Sequence, residues 1–505
     1  MDMFIGLGQG FQIALLPSNL ALCFLGSLLG TLIGVLPGIG PVATISILIP
    51  ITMGLPAVSA IIMLAGIFYG AMYGGSTTSI LVNLPGEAAS VVTCFDGHQM
   101  ALQGRAGPAL GISAFGSFIA GTLGVVGLMC LATPMAQFAL KFGPPEYFGV
   151  MFLGLTLVCF LTRGSLLKSL LMVFVGLILA YVGQDSVSGD IRLTLDSVLL
   201  WDGIGLMPLI MGLFGVSEVL FSLEKPVSRE ILEVKGWKNL LPNRQDWKDS
   251  AGPMIRGGIL GFLLGVMPGG GTVLSTFASY SLEKRISKTP EQFGKGAIAG
   301  VAGPETANNA ASSGSFITLF TLGIPPNVVI ATLLGAMMIH GIQPGPLFLK
   351  EHPQVFWGVV ASMYIGNVML LLLNLPFIGL WVKVLRVPYR LLFPLILLLT
   401  LVGVYTVRNK PFDLVVLGIF GILGYLMKKF EYESAPLVLA FILGDQIEMA
   451  LRQSLILFDG GFKPFLSHPI AAVSFGLGLL ILVSPLLPWL GFGKKIADQA
   501  AQIED

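Results

Sequence analysis

Gly26-x-x-x-Gly30-x-x-x-Gly34-Val-Leu-Pro37-Gly38-Ile-Gly40 returns as Gly257-x-x-x-Gly261-x-x-x-Gly265-Val-Met-Pro268-Gly269-Gly270-Gly271, with Gly265 lying 231 residues after Gly34. Glycines four apart present a bare helix face against which another backbone can pack. The Pro-Gly after them ends such a helix, because proline lacks the N–H that the next hydrogen bond needs. Two such breaks at corresponding places mark an internal duplication. In a membrane they also mark a cavity, since freed backbone groups have no water to turn to in hydrocarbon.

Working outward, Gly74-Gly-Ser76-Thr77-Thr78-Ser79-Ile-Leu-Val-Asn83-Leu-Pro85-Gly86 aligns with Gly314-Ser315-Phe-Ile-Thr318-Leu-Phe-Thr321-Leu-Gly323-Ile-Pro325-Pro326. Gly97 and Gly107-Pro108 align with Gly335 and Gly345-Pro346, and a weaker echo joins Pro208 to Pro436. The chain therefore divides into a first membrane repeat, 1–222, a basic loop, 223–252, a second repeat, 253–460, and a final helix with its tail, 461–505.

Of 505 residues, 54% are hydrophobic and 11% charged, with a mean hydropathy of +0.87. A water-soluble chain of this length is excluded. Apolar stretches long enough, or nearly so, to cross a bilayer recur at 109–133, 147–162, 166–183, 204–221, 355–380, 391–405, 414–427 and 470–490. No Lys or Arg precedes the N-terminal apolar stretch and Pro17 interrupts it, so no cleavable signal is expected. The four cysteines stand singly and suggest neither zinc nor disulfides.

Charge orients the halves. Residues 1–104 contain no Lys or Arg, whereas Lys225, Arg229, Lys235, Lys238, Arg244, Lys248 and Arg256 crowd one stretch, which the positive-inside rule places in the cytoplasm. The loop from Lys284-Arg285 to Lys295 is basic and its counterpart near 54–59 is uncharged. The expected fold is an all-α polytopic membrane protein with two inverted-topology repeats, broken helices or re-entrant hairpins, and roughly 12 transmembrane segments.

The breaks locate the candidate site. Pro37, Gly38, Gly40, Pro268, Gly269, Gly270 and Gly271 would expose backbone dipoles near the midplane. Ser76, Thr77, Thr78, Ser79, Asn83, Pro85 and Gly86 in one half, and Asn308, Asn309, Ser312, Ser313, Gly314, Ser315, Pro325 and Pro326 in the other, would line the cavity. Asn308, Asn309, Ser312 and Ser313 offer the hard oxygens that Na⁺ accepts. The competing reading is that these hydroxyls bond back to their own helices. Glu87, Asp96, Glu305, Asp445 and Glu448 lie in or beside apolar sequence and are ionisable candidates, although Glu87 and Asp96 equally suit an interfacial segment. His98 and His340 are expected to be hydrogen-bonding interface residues. No metalloprotease motif, nucleophile elbow or phosphate-binding loop is present, so neither an enzyme nor an ATP-driven pump is expected, and no cofactor beyond a coupling ion.

At these motifs the chain resembles the large membrane subunit of the tripartite tricarboxylate transporter family. The resemblance covers nearly the whole chain and rests on Gly34 to Pro41, Asn83-Leu-Pro-Gly-Glu87 through Asp96-Gly97-His-Gln-Met100, Lys295-Gly296 through Gly303-Pro304-Glu305-Thr-Ala-Asn308-Asn309-Ala310, and Leu322-Gly-Ile-Pro325. It implies a multi-pass protein of the bacterial inner membrane that imports a small di- or tricarboxylate, driven by Na⁺ or H⁺. Its implied partners are a small four-helix membrane subunit and a periplasmic substrate-binding protein, with the lipid bilayer around it and no nucleic acid. One departure is Pro326-Asn327, where Gly-Ile-Pro-Gly is expected. A passive carboxylate channel is the alternative reading of the same breaks.

Overall fold

The computed structural model describes residues 3–36, 40–161, 165–185, 187–224, 232, 240–267, 269, 271–387 and 389–483, with backbone alone at 161 and 389–392. Most of them are helical, as a chain that must satisfy its backbone without water requires. Among the described residues, seven helices are long and apolar enough to cross a membrane, and six further apolar helices run 10–17 residues. The β-structure among the described residues is a two-residue antiparallel pair, Gly183–Gln184 with Ile191–Arg192. The chain forms two compact units: Met1–Ala139 with Met207–Tyr425, and Leu140–Leu206 with Leu426–Asp505. Each unit draws on both sequence halves, so compactness divides the chain differently from the repeat.

In the first unit the glycine rows carry the packing. A Cβ on Gly26, Gly30 or Gly34 of the Pro17–Val35 helix would stand 2.2, 2.4 and 2.4 Å from the carbonyl oxygens of Met63, Ile67 and Ala71 on the Ala57–Val82 helix. One on Gly257, Gly261 or Gly265 of the Arg244–Val266 helix would stand 2.3 Å from the carbonyl oxygens of Gly303, Ala307 and Ala311 on the Ala299–Leu322 helix. No side chain fits there. Backbones this close gain dispersion along their length, the usual source of helix association where lipid is as apolar as leucine.

The breaks are duplicated down to single hydrogen bonds. The Thr78 hydroxyl donates to the Val35 carbonyl at 2.6 Å, and that of Thr318 to the Val266 carbonyl at 2.5 Å. Both carbonyls end a helix and have lost their intrahelical partner. The Gly40–Thr52 and Gly271–Ile286 helices each resume on a glycine in the left-handed region, φ +66° and +59°. Farther on, Asn83 and Gly323 end their helices with φ 57° and 70°. Glu87 and Asn327 then accept hydrogen bonds from the N–H groups of Ala89 and Ile330 as N-caps of the next helical segments. Asn327 thus explains the departure from the expected glycine sequence: it caps the next helix as Glu87 does. The two long polar helices run antiparallel where they meet, since Phe68 packs on Phe316 and, two turns on, Ser76 reaches Glu305.

In the second unit, Gly176 and Gly149 give close contact to Leu437 and Ala471. An ion cluster ties the short hairpin to the Ser434–Leu457 helix. Arg192 forms a bidentate pair with Glu448 at 2.7 and 3.1 Å, and Arg452 reaches Glu448 at 2.6 Å and Asp185 at 2.8 Å. Glu448 is therefore a structural ion-pair partner. The Val187 N–H, at 2.8 Å, and then Arg452 hold the Asp185 carboxyl down at about 2. A carboxyl lowered on folding contributes stability above its unfolded value near 3.8 and loses it as pH falls through about 2. Acidification from about pH 5 to about pH 2 is accordingly expected to release residues 183–192. Amide exchange across that segment, corrected for intrinsic rates, should accelerate in this window; unchanged protection would contradict the assignment.

Candidate substrate and ion site

Glu305 sits nearly two turns into the Ala299–Leu322 helix, which is buried from Gly300 onward, and is 1% exposed. Its carboxylate accepts from Ser76 Oγ at 2.5 Å and Ser113 Oγ at 3.1 Å on one oxygen, and from the Thr93 hydroxyl on the other. The three donors come from three separate segments. Charge-assisted hydrogen bonds contribute roughly 1.5–3 kcal/mol each, which offsets a desolvation penalty of several kcal/mol only when all are made.

A second buried carboxylate lies beside it. Glu87 accepts from the Ala89 N–H at 2.7 Å and from Asn308 Nδ2 at 3.1 Å. Neighbouring positions of the same segments serve the two acids. Gly75 lies against Glu87 and Ser76 binds Glu305. Ser90 bonds to the Glu87 backbone and Thr93 binds Glu305. Glu305 and Asn308, one helical turn apart, complete the set. None of the described ion pairs reaches either acid, and no group of three His, Cys, Asp or Glu suited to a metal occurs among the described residues. Among the described residues no cationic side chain offsets any charge these two acids carry.

The other expected residues separate into distinct roles. Asn309 Nδ2 donates to Ser117 Oγ at 2.7 Å and to the Glu305 carbonyl at 3.2 Å. Ser312, Ser313 and Ser315 donate back to the carbonyls of Asn308, Asn309 and Ala311 on their own helix. Ser79 donates to the Ser90 carbonyl and Thr78 to Val35, both closing the backbone at a break, while Thr77 is buried in the same turn. Asn83 and Pro85 are exposed, whereas Gly86, Pro325 and Pro326 are buried. A Cβ on Gly86 would lie 1.9 Å from the Gly34 carbonyl oxygen, and one on Gly314 2.7 Å from that of Phe262, so both are packing glycines. Gly269 adopts φ +79°; Pro37, Gly38, Pro268 and Gly270 lie outside the described residues.

Thr93, Ser113 and Ser117 are absent from the residues expected to line the cavity. Their only signal in the sequence is the four-residue spacing of Ser113 and Ser117 in a helix of glycine, alanine and large apolar residues. Asp96, expected as an ionisable candidate, is a structural latch: its carboxylate accepts from the N–H groups of Gly294, Gly296 and Ala297 at 2.8–2.9 Å and from the Tyr280 hydroxyl at 2.9 Å. His98 and His340 bond to the Ile80 carbonyl and the Thr52 hydroxyl, as interface residues do.

The model of the tripartite tricarboxylate transporter TctA family matches residues 20–439. A relative from Agrobacterium vitis, described as an uncharacterized 52.8 kDa protein in the TAR-I ttuC′ 3′ region, is 51% identical over 488 residues, 97% of this chain and 97% of its own. A second from the same organism, an uncharacterized protein in the TAR-II ttuC′ 3′ region, is 53% identical over 228 residues, 45% of this chain and 94% of its own. No solved structure matches this chain. With the family match spanning both helix breaks and both buried acids, this multi-pass membrane protein belongs to the tripartite tricarboxylate transporter TctA family.

Proposed function

We propose that this chain is the large permease subunit of a binding-protein-dependent secondary transporter that imports a di- or tricarboxylate across the bacterial inner membrane, coupled to Na⁺ or H⁺. The observation that carries the proposal is the pair of matching helix breaks, each with a helix restarting on a left-handed glycine, around a buried polar shell. The restarting Gly40–Thr52 and Gly271–Ile286 helices would turn N–H groups toward an anion. The nearby acids would hold the cation that offsets its charge. Moving one charge against the membrane potential costs about 2.3 kcal/mol per 100 mV, so a multiply charged substrate needs co-transported cations. The antiparallel meeting of the two corresponding helices supports inverted halves, the arrangement that lets one half move against the other. A small four-helix membrane subunit and a periplasmic binding protein would complete the system.

The test is uptake of labelled di- and tricarboxylates into proteoliposomes holding both membrane subunits, with and without the binding protein and an inward Na⁺ or H⁺ gradient. Uptake should need all of them. Saturation-free uptake that persists without a gradient would instead establish a channel. Gly269→Val, which forces a β-branched residue to φ +79°, should lower uptake at least about tenfold while the purified protein stays monodisperse; normal uptake would remove this break from the site.

A further inference from the structure

We propose that Glu87, Glu305 and Asn308 form the binding site of a hard monovalent cation with the chemistry of Na⁺. The assignment rests on the transport reading for its purpose but not for its geometry. Two buried carboxylates facing shared segments have no Lys, Arg or His within ion-pair distance among the described residues. A second, independent feature points to a ligand. Asn308 is 0% exposed, and its Oδ1 has no hydrogen-bond donor. Its Nδ2 donates to Glu87 Oε1 at 3.1 Å, so the orphan oxygen belongs to the amide that already faces that carboxylate.

A buried acceptor without a partner costs roughly 1–3 kcal/mol, so a native site should answer it. Protonating Glu87 does not. For Asn308 to accept from a protonated Glu87, its amide must flip, and the Nδ2 donor is then the orphan. A cation meets Oδ1 and the acid charge together and leaves the amide donor on Glu87. Ser76, Thr93 and Ser113 each spend their one proton on Glu305, so their lone pairs can face the same cation. The donor set is neutral oxygens plus carboxylate, which suits Na⁺ and disfavours softer metals. It also differs from the run expected at Asn308, Asn309, Ser312 and Ser313: of these, Asn308 faces the acids.

Equilibrium binding of ²²Na⁺ to the purified full-length protein, without substrate, tests the assignment. The wild type should bind saturably and lose label to Na⁺ but not to choline. Glu305→Gln and Glu87→Gln should each weaken binding at least about tenfold, since each removes one of the two charges that hold the ion. Because either variant could unfold, thermal unfolding in Na⁺ and in choline is measured alongside. Na⁺ should raise the wild-type midpoint with concentration by mass action and raise those of the variants only at concentrations at least about tenfold higher. Asn308→Asp, nearly isosteric, moves the effect the other way: a third charge should tighten Na⁺ binding and make the folded state more Na⁺-dependent, which a purely structural amide would not do. Wild-type protein without saturable ²²Na⁺ binding, taking up carboxylate on a pH gradient alone, would overturn the site and leave the transport reading standing. Variants that bind Na⁺ like the wild type would also overturn it. Saturable, variant-sensitive Na⁺ binding with no carboxylate uptake under any gradient would support the site and sink the transport reading.

Discussion

Leucine at Gly261 is expected to leave almost no folded protein. Its Cβ would lie 2.3 Å from the Ala307 carbonyl oxygen and 2.5 Å from the Ala307 Cα. The obstruction is backbone, so no rotamer change relieves it and the Arg244–Val266 and Ala299–Leu322 helices must part. Overpacking that side chains can absorb costs about 1–3 kcal/mol; a forced helix separation belongs at the upper extreme of single substitutions, roughly 4–5 kcal/mol or more. The neighbouring Gly258 provides the contrast. A Cβ there meets only the Thr306 Cγ2 at 3.5 Å, an ordinary contact. Gly258→Ala should therefore be tolerated and even gain about 0.5–1 kcal/mol from helix propensity. Yield of monodisperse protein in detergent and the denaturation midpoint decide the matter. Gly261→Leu protein that melts with the wild type would show that these helices do not pack through the glycine row.

Asp96→Ala carries the second large effect. The carboxylate gathers three backbone N–H groups from residues 294–297 and the Tyr280 hydroxyl, and is itself 0% exposed. Truncation leaves all four donors without an acceptor. At roughly 1–3 kcal/mol for each buried donor that water does not reclaim, a loss of about 3–5 kcal/mol is expected. Tyr280→Phe removes one donor and leaves the carboxylate its three amides, so it should cost only about 1 kcal/mol. Asp96→Asn should fall between them, because one amide oxygen still accepts but carries no charge. Hydrogen exchange at 294–297 should rise in the same order as the midpoints fall. Asp96→Ala no more destabilised than Tyr280→Phe would show that the latch contributes little.

Much of this protein is set by local rules. Helix number, helix length and the membrane setting come from apolar runs and a shortage of charge, because each helix satisfies its own backbone. The glycine rows and breaks are equally legible: glycine at φ +59° or +66° and proline at a helix end are constraints on single residues, visible wherever those residues stand. Repetition of the motif also announces that the role of Thr78 in one half belongs to Thr318 in the other.

The inner shell is less legible. Ser312, Ser313 and Asn309 look equivalent to Asn308 in sequence, yet of the four it is Asn308 that meets Glu87, because a helix turns each successive side chain by about 100° and only its rotation against neighbours says which face is inside. Glu305 and Asp96 look alike as acids in apolar sequence. One is the centre of a hydroxyl shell and the other a latch on backbone amides. Composition, repeat, helix breaks and family-bearing motifs are thus determined by the sequence itself, since each depends on residues a few positions apart. The meeting of Glu305 with Thr93 and Ser113, about 200 residues away, is decided only by tertiary structure, because the register and rotation of three packed helices choose which hydroxyls face the charge.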